Sequence, residues 1–350
     1  MSPAPPRSGT PPEASGERLA AGRFAPSPTG DLHLGSALAL VASWASVRTK
    51  GGRFVWRVED LDGPRTVPGS AERQMEDARW LGLDWDEGPD PASGEDVGPH
   101  GPYWQSRRSA LYDAALADLA ARGLLFPCRR SRKDLQSLAS APHGAASGAS
   151  AGLPPYPRRW RPADLAPEWF DDLGPRPDCA LRFRVDGAPV TFEDRVVGRV
   201  TEDVQRAVGD VVLKRRDGVF AYQLAVVVDD LAMGVTEVVR GMDLLDSTPR
   251  QILLLQALGG AVPTYAHVPL LVNGSGEKLS KRDGAVSLRE IRDAGASPEA
   301  VLGWLAWALG QIPEPRPLAP EALAQDWQWG AVRPDPVAVP RTLSRTLSHR

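Results

Sequence analysis

The stretch Phe24-Ala25-Pro26-Ser27-Pro28-Thr29-Gly30-Asp31-Leu32-His33-Leu34-Gly35-Ser36 constrains this chain more than any other. An apolar strand start passes through a proline-stiffened loop into the N-terminus of a helix, which residues 38–47 continue. A helix start of this kind offers unpaired backbone N–H groups and a partial positive charge, which suit an anion such as a triphosphate. His33 can donate hydrogen bonds to phosphate oxygens, and Gly35 removes the side chain that would keep a flat adenine ring away from the helix end. Taken alone, the residues also read as a turn with a capping histidine, because His-x-Gly is common.

The next segment repeats the pattern. Arg53-Phe54-Val55-Trp56-Arg57-Val58 alternates polar and apolar residues as a strand does, and residues 70–81 predict a helix capped by Ser70. Strand, helix, strand, helix predicts an α/β fold with a doubly wound parallel sheet. Residues 112–121 form a further amphipathic helix closed at Gly123. Residues 137–152 are almost purely Ala, Ser and Gly, a flexible loop by composition. Short β-like runs at residues 181–185 and 196–200 suggest a small inserted domain. Strands are then expected at 211–214, 222–228 and 237–240, with helices at 248–258, after Asp246-Ser247, and near 298–309. This reading divides the chain into a disordered leader (1–20), the first half of a catalytic domain (21–125), an insert (126–200), the second half (201–310) and a proline-rich tail (311–350). No internal repeat is evident.

Composition narrows the function classes. A hydrophobic fraction of 42% with 24% charged residues in 350 residues sustains a core and excludes a disordered chain. No run approaches the roughly 20 apolar residues that span a bilayer, so a cytoplasmic protein without membrane contact is expected. Two cysteines, Cys128 and Cys179, make a disulfide framework implausible. The net charge of −3 gives no global pull toward nucleic acid. RNA contact must therefore rest on local clusters, Arg129-Arg130-Ser131-Arg132-Lys133, Arg158-Arg159-Trp160-Arg161 and Lys214-Arg215-Arg216. Trp160 can stack on a base. Solvated surface is the other reading of each cluster.

A second candidate for phosphate chemistry lies far along the chain, Lys278-Leu279-Ser280-Lys281-Arg282 between Asn273-Gly274-Ser275-Gly276-Glu277 and Asp283-Gly284. Two lysines three apart on a glycine-flanked loop can reach a triphosphate and neutralise charge on the transferring phosphate. A solvated basic loop is the alternative when the loop is taken by itself.

Together, His33-Leu34-Gly35-Ser36 and the lysine segment resemble the two signatures of class I aminoacyl-tRNA synthetases. Arg23 to Gly30, Arg57-Val58-Glu59-Asp60-Leu61-Asp62, Val227-Val228-Asp229-Asp230 and Val239-Arg240-Gly241 resemble the glutamyl branch. The likeness runs from about residue 22 to about residue 309. Only 68 residues follow Arg282, too few for the helical anticodon-binding region of a full-length glutamyl-tRNA synthetase. The chain therefore looks most like the short glutamyl-queuosine tRNA(Asp) synthetase family, and residues 218–230 share that likeness.

The resemblance implies a Rossmann-type nucleotide-binding domain with a small inserted α/β subdomain and no anticodon-binding domain. It implies that Arg23, Phe24, Ala25, Pro26, Ser27, Glu59, Tyr222 and Arg240 hold L-glutamate. His33, Gly35, Ser36, Lys278, Ser280 and Lys281 would hold ATP with its Mg²⁺, and His33 and Lys281 would be catalytic. The chemistry agrees: two carboxylates and an ammonium call for fixed cations, here Arg23 and Arg240, and an anion, Glu59. Arg240 could otherwise be a surface strand end, and Glu59 part of a solvated acidic turn or a magnesium site. The implied partner is tRNA(Asp) carrying queuosine, the implied state a monomer. The family often binds zinc in its insert through Cys-x-Cys and Tyr-x-x-x-Cys pairs. Here those positions read Cys128, Arg130, Tyr156 and Trp160, so zinc is expected to be absent, and Cys179 reads as a small buried residue. Two competing readings are a truncated glutamyl-tRNA synthetase charging the tRNA 3′ end and a non-catalytic RNA or amino-acid binding paralogue.

Overall fold

The computed structural model describes residues 20–139, 154–163, 167–170, 178–277 and 286–340. The expected disordered leader, nearly all of the loop 137–152, and the lysine segment with Lys278, Ser280 and Lys281 lie outside these residues.

Strand β1 (Ala21–Phe24), helix α1 (Leu34–Arg48), strand β2 (Arg53–Trp56) and helix α2 (Ser70–Trp80) follow one another as the pattern predicts. β1 and β2 pair in parallel, Ala21 to Phe24 against Arg53 to Trp56. Phe54, Val55 and Trp56 are all fully buried, so β2 is covered on both faces, as a strand in a parallel sheet must be. Gly69, in the left-handed region at φ 72°, is the N-cap of α2. Ser70 is the first residue inside that helix and makes no cap: its hydroxyl is turned to Gly30. A short hairpin, β3 (Gly88–Pro89) and β4 (Asp96–Val97), leads to helix α3 (Ser109–Ala121). The chain leaves α3 through Gly123 at φ 66°.

Strand β5 (Leu125–Cys128) and helix α4 (Arg132–Ala139) open the expected insert, so residues 137–139 end a helix rather than begin a loop. The rest of that region divides between two sheets. β6 (Ala180–Phe183) pairs antiparallel with β5 and with β9 (Val211–Lys214), which follows the short helix α5 (Val204–Ala207). The hairpin of β7 (Val190–Asp194) and β8 (Gly198–Glu202) leaves this small sheet and joins the main one.

Residues 222–228, expected as a strand, are instead the start of helix α6 (Tyr222–Ala232). The run Leu224-Ala225-Val226-Val227-Val228 is buried throughout. A short apolar run covered on every side carries no period, and burial against neighbours overrides the β preference of its three valines. Strand β10 (Glu237–Gly241), helix α7 (Thr248–Ala257) and strand β11 (Thr264–Val268) complete the main sheet, whose order is β2-β1-β10-β11-β7-β8. All its neighbours are parallel except the β7–β8 hairpin.

Helices cover both faces. α1, which buries Ala37 through Val47 without a break, packs on one face with α9 (Pro298–Ala308), and α3, α6 and α7 contribute to the core on the other. Strand β12 (Leu271–Val272) precedes the lysine segment, and α8 (Leu288–Asp293), capped by Ser287 and Glu290 in a reciprocal box, follows it. The expected tail is structured over most of its length. Helix α10 (Pro320–Gln325) places Leu323 and Ala324 in the α1 core, with Trp327 and Val332 beside them, and β13 (Val337–Ala338) pairs with β12. Prolines here start elements and shape turns without breaking the packing.

Candidate active site

The sheet order reverses between β1 and β10, and a cavity of about 760 Å³ opens at the carboxyl ends of those strands. Ligands of open α/β sheets bind at such switch points. The cavity wall contains Arg23, Phe24, Ala25, Pro26, Ser27, His33, Gly35, Ser36, Glu59, Tyr222 and Arg240. Leu271 and Val286 also line it, and these two residues flank the lysine segment on either side.

Local structure explains how the first loop is held. Gly30 sits at φ 137°, a conformation that side chains disfavour. Ser70 brackets it, its Oγ accepting from the Gly30 amide at 3.0 Å and donating to the Gly30 carbonyl at 2.8 Å. The Gln74 amide donates to the carbonyls of Ser27 and Gly30 at 3.2 and 2.7 Å. Helix α2 thus presses the loop into shape, so that His33 becomes the N-cap residue of α1 in extended conformation. A Cβ added at Gly35 would meet nothing within 4 Å, so this position of the helix start faces open space.

A chain of alternating charges lies beneath the cavity floor. Arg23, only 4% exposed, pairs with Asp230 through Nε at 3.2 Å. Its Nη1 donates to the Val239 carbonyl at 3.3 Å. Asp230 also pairs with Arg57 at 2.7 Å, and Arg57 with Glu59 at 3.1 Å. Arg57 is fully buried and further neutralised by Asp229 at 3.7 Å, which is held in turn by Arg108, Gln105 and Tyr112. Burial pushes Asp230 upward, but Arg23 and Arg57 outweigh it and hold its pKa below the usual carboxylate range. Glu59 goes the other way: burial raises its pKa, and Arg57 and Arg23 only partly oppose the rise. Glu59 is therefore a carboxylate short of positive partners, and an ammonium would complete its pairing. Burial also raises the Tyr222 phenol, which stays a neutral hydrogen-bonding group.

Arg240 is aimed by a second network. Its Nη1 donates to Gln251 Oε1 at 2.7 Å, Nη2 to Thr248 Oγ1 at 2.8 Å, and Nε to His267 Nε2 at 3.1 Å. His267 is fully buried, and its Nδ1 lies 2.6 Å from Asp194 Oδ2. An imidazole that accepts at Nε2 must carry its proton on Nδ1 and give it to Asp194. Burial lowers the His267 pKa, Asp194 opposes this and Arg240 adds to it. The neutral form is thus the one that fits. Asp194 comes from β7, so the hairpin that joins the main sheet helps to position a cavity arginine.

Known proteins bear directly on this arrangement. The family described as tRNA synthetases class I (E and Q), catalytic domain, matches residues 21–314. The chain belongs to this class I synthetase family. A relative named Glutamyl-Q tRNA(Asp) synthetase, from Symbiobacterium thermophilum, is 48% identical over 93% of this chain and 98% of its own length. One of the same name from Nitratidesulfovibrio vulgaris is 46% identical over 86% and 89%. A Glutamate–tRNA ligase from Nitrosomonas europaea is 41% identical, covering 82% of this chain but 58% of its own. A solved glutamate-tRNA synthetase from Elizabethkingia anophelis superposes with a TM-score of 0.78 at 26% identity, covering 94% of this chain and 70% of that one.

Within this class I synthetase fold, the insert positions Cys128, Arg130, Tyr156 and Trp160 do come together, as a packed cluster. The Cys128 thiol and Tyr156 hydroxyl are 3.2 Å apart, Tyr156 donates to the Trp160 carbonyl at 3.2 Å, and the Arg130 guanidinium lies 5.1 Å from the Trp160 ring centre. Burial and the neighbouring thiol push the Tyr156 phenol up, away from ionisation. One thiol and a neutral phenol do not fit a tetrahedral zinc site. Cys179 is buried beside β6.

Sequence reasoning did not reach Arg57, Asp230, His267, Asp194, Thr248, Gln251, Ser70 or Gln74 as parts of the site. Asp229-Asp230 falls inside a block that carries the family resemblance, but nothing in the block assigns it a role. Arg57 likewise falls inside such a block, Arg57-Val58-Glu59-Asp60-Leu61-Asp62, which assigns it no role.

Proposed function

We propose that this chain activates L-glutamate with ATP and transfers it to the queuosine base of tRNA(Asp). The observation that carries the reading is the grouping of two fixed guanidiniums, Arg23 and Arg240, with the under-neutralised carboxylate Glu59 and the Tyr222 hydroxyl in one cavity at the switch point. That set matches an amino acid with two carboxylates. The α1 N-terminus with its open space at Gly35 suits the nucleotide. The named relatives favour the queuosine acceptor, because the two Glutamyl-Q synthetases align over 89–98% of their lengths and the Glutamate–tRNA ligase over 58%.

In the reaction, an oxygen of the glutamate α-carboxylate attacks the α-phosphorus of ATP. The new P–O bond forms as the bond to the β-phosphate breaks, and pyrophosphate leaves. A hydroxyl of the queuosine ring then attacks the acyl carbon, loses its proton and expels AMP. No protein nucleophile is needed. His33 and Lys281 serve the phosphates, and the protein contributes position and charge. Mg²⁺ bound with ATP would offset charge on the phosphates.

Glutamate-dependent ATP–pyrophosphate exchange without RNA tests the first step, and radiolabelled glutamate with queuosine-containing against unmodified tRNA(Asp) tests the second. Exchange that requires tRNA, or label on the 3′ end, would overturn the reading.

A further inference from the structure

Helix α2 carries a polar stripe where a packed helix ordinarily buries apolar residues. Ser70, Gln74 and Asp77 stand at i, i+4 and i+7, so they share one face, and all three are buried. Arg73, on the same face, pairs with Asp31 at 2.6 Å. Ser70, Arg73 and Gln74 hold the loop that leads to His33, which accounts for their polarity. Asp77 serves a different element. Both its carboxylate oxygens are buried, and among the described residues neither has a hydrogen-bond partner. Its ion pair is with Arg289, at 3.1 Å.

Arg289 is the second residue of α8. Its Nη2 reaches three groups of α2: Asp77 Oδ1 at 3.1 Å, Glu76 Oε2 at 2.8 Å and the Arg73 carbonyl at 3.3 Å. Burial pushes the Asp77 carboxyl up to about 6; Arg289 and Arg292 on α8 oppose the rise, while Asp31 on the first loop and Glu76 add to it. A buried ion pair of this kind is often no more stabilising than well-packed apolar residues of the same shape. Stability alone therefore gives no reason for a carboxylate at position 77.

What Arg289 secures lies just ahead of it. Residues 286–288, where the chain returns from the lysine segment, run beside residues 32–34. The Leu288 amide donates to the Leu32 carbonyl at 2.8 Å, the Leu34 amide donates to the Val286 carbonyl at 3.4 Å, and Ser287 faces His33 in an isolated antiparallel bridge. Val286 and His33 both line the first cavity. Helix α2 thus grips both sides of this short pairing. Ser70 and Gln74 take the side that bears His33, and Asp77 and Glu76, through Arg289, take the other.

We infer that Arg289, clasped by Asp77 of α2, is a positioning residue for adenylate formation: it fixes residues 286–288 against His33, so that the two phosphate-serving segments keep one spacing. The inference rests on the proposed function, since it takes the reaction to be activation of glutamate by ATP. Arg289→Met keeps most of the apolar stem and removes the guanidinium, and Asp77→Asn keeps the shape and removes the charge. Glu76→Gln alters only the exposed arm of the clasp and serves as the control. ATP–pyrophosphate exchange is measured for each variant and for the Asp77→Asn/Arg289→Met double variant at about pH 7.5, above the Asp77 value, together with the melting temperature. Each of the two clasp variants is expected to lose at least about tenfold in kcat/KM for ATP, the scale on which a misplaced group slows a positioned reaction. KM for glutamate should stay within about twofold, because neither residue lines the cavity. The double variant should fall no further than the more impaired single one, since both remove the same clasp. Glu76→Gln should stay within about twofold in both quantities. A folded clasp variant with kcat/KM for ATP within twofold of the unmodified enzyme overturns the inference, whatever its melting temperature. An equal loss in KM for glutamate, or losses that multiply in the double variant, also overturns it. Absence of exchange by the unmodified enzyme sinks the proposed function, whereas exchange that both clasp variants leave unchanged sinks this inference alone.

Discussion

In the proposed function, Glu59 is the residue on which amino-acid recognition turns. Its raised pKa means that acid protonates it earlier than an ordinary glutamate, and protonation removes the partner for the substrate ammonium. The KM for glutamate is accordingly expected to rise as the pH falls through that raised value, with KM for ATP unaffected. Glu59→Gln should show the high KM at every pH, by about 30-fold or more if truncating a buried charge pair costs ~2–5 kcal/mol. A pH-independent KM in the unmodified enzyme would contradict this. At Gly35 the expectation separates binding from folding. Because added atoms meet open space, Gly35→Val should leave the melting temperature within a few degrees yet raise the KM for ATP. A lowered melting temperature with normal KM would show that the space is not the nucleotide's. The cavity-lining residues were legible in sequence because short blocks fix their spacing. Their supports were not: Arg57 reaches Asp230 across 173 positions, and only the folded sheet brings such residues together.

Among the elements, the β7–β8 hairpin shows how position in space departs from position in sequence. It follows the insert's strand β6, yet pairs with β11 and delivers Asp194 to His267. Because folding lowers the His267 pKa, the folded state favours neutral imidazole. The stability tied to it is full above the unfolded value near 6.5 and is lost as the pH falls through the folded value. Thermal unfolding followed from pH 7.5 to 5 should show the unmodified enzyme losing more stability than His267→Gln, which keeps an acceptor for Arg240 but does not titrate. His267→Ala should in addition raise the KM for glutamate, because Arg240 loses the bond to its Nε. Equal pH slopes in the two proteins would rule His267 out as the titrating group. Helix α1 and strands β1, β2, β10 and β9 could be read from pattern, whereas α6 could not. Its valine run carries β preference, and what makes it helical is the packing of Leu224 to Val228 in the core beside α3 and α7.

At the scale of the whole molecule, the C-terminal region contributes to the core that carries the site. Leu323, Trp327 and Val332 pack against the α1 cluster, and the Trp329 indole donates to Ser46 Oγ at 3.0 Å. A chain ending at residue 314, where the family match stops, is expected to aggregate or to melt at least ~10 °C lower. Several large buried side chains are each worth a few kcal/mol, and 1 kcal/mol shifts a domain of about this size by ~2–4 °C. An unchanged melting temperature would show those contacts to be dispensable. Proline content hid this in the sequence: seven prolines in residues 311–350 resemble a linker, while the tryptophans and leucines between them do the packing. The pairing of β13 with β12 has a consequence for biosynthesis. The strand that runs into the lysine segment gains its hydrogen-bonded partner only when residues 337–338 have left the ribosome. At roughly 5–20 residues per second, that is tens of seconds after the first strand of the site emerges. A nascent chain therefore completes the strands that wall the cavity well before the strand leading into residues 278–282 gains its partner.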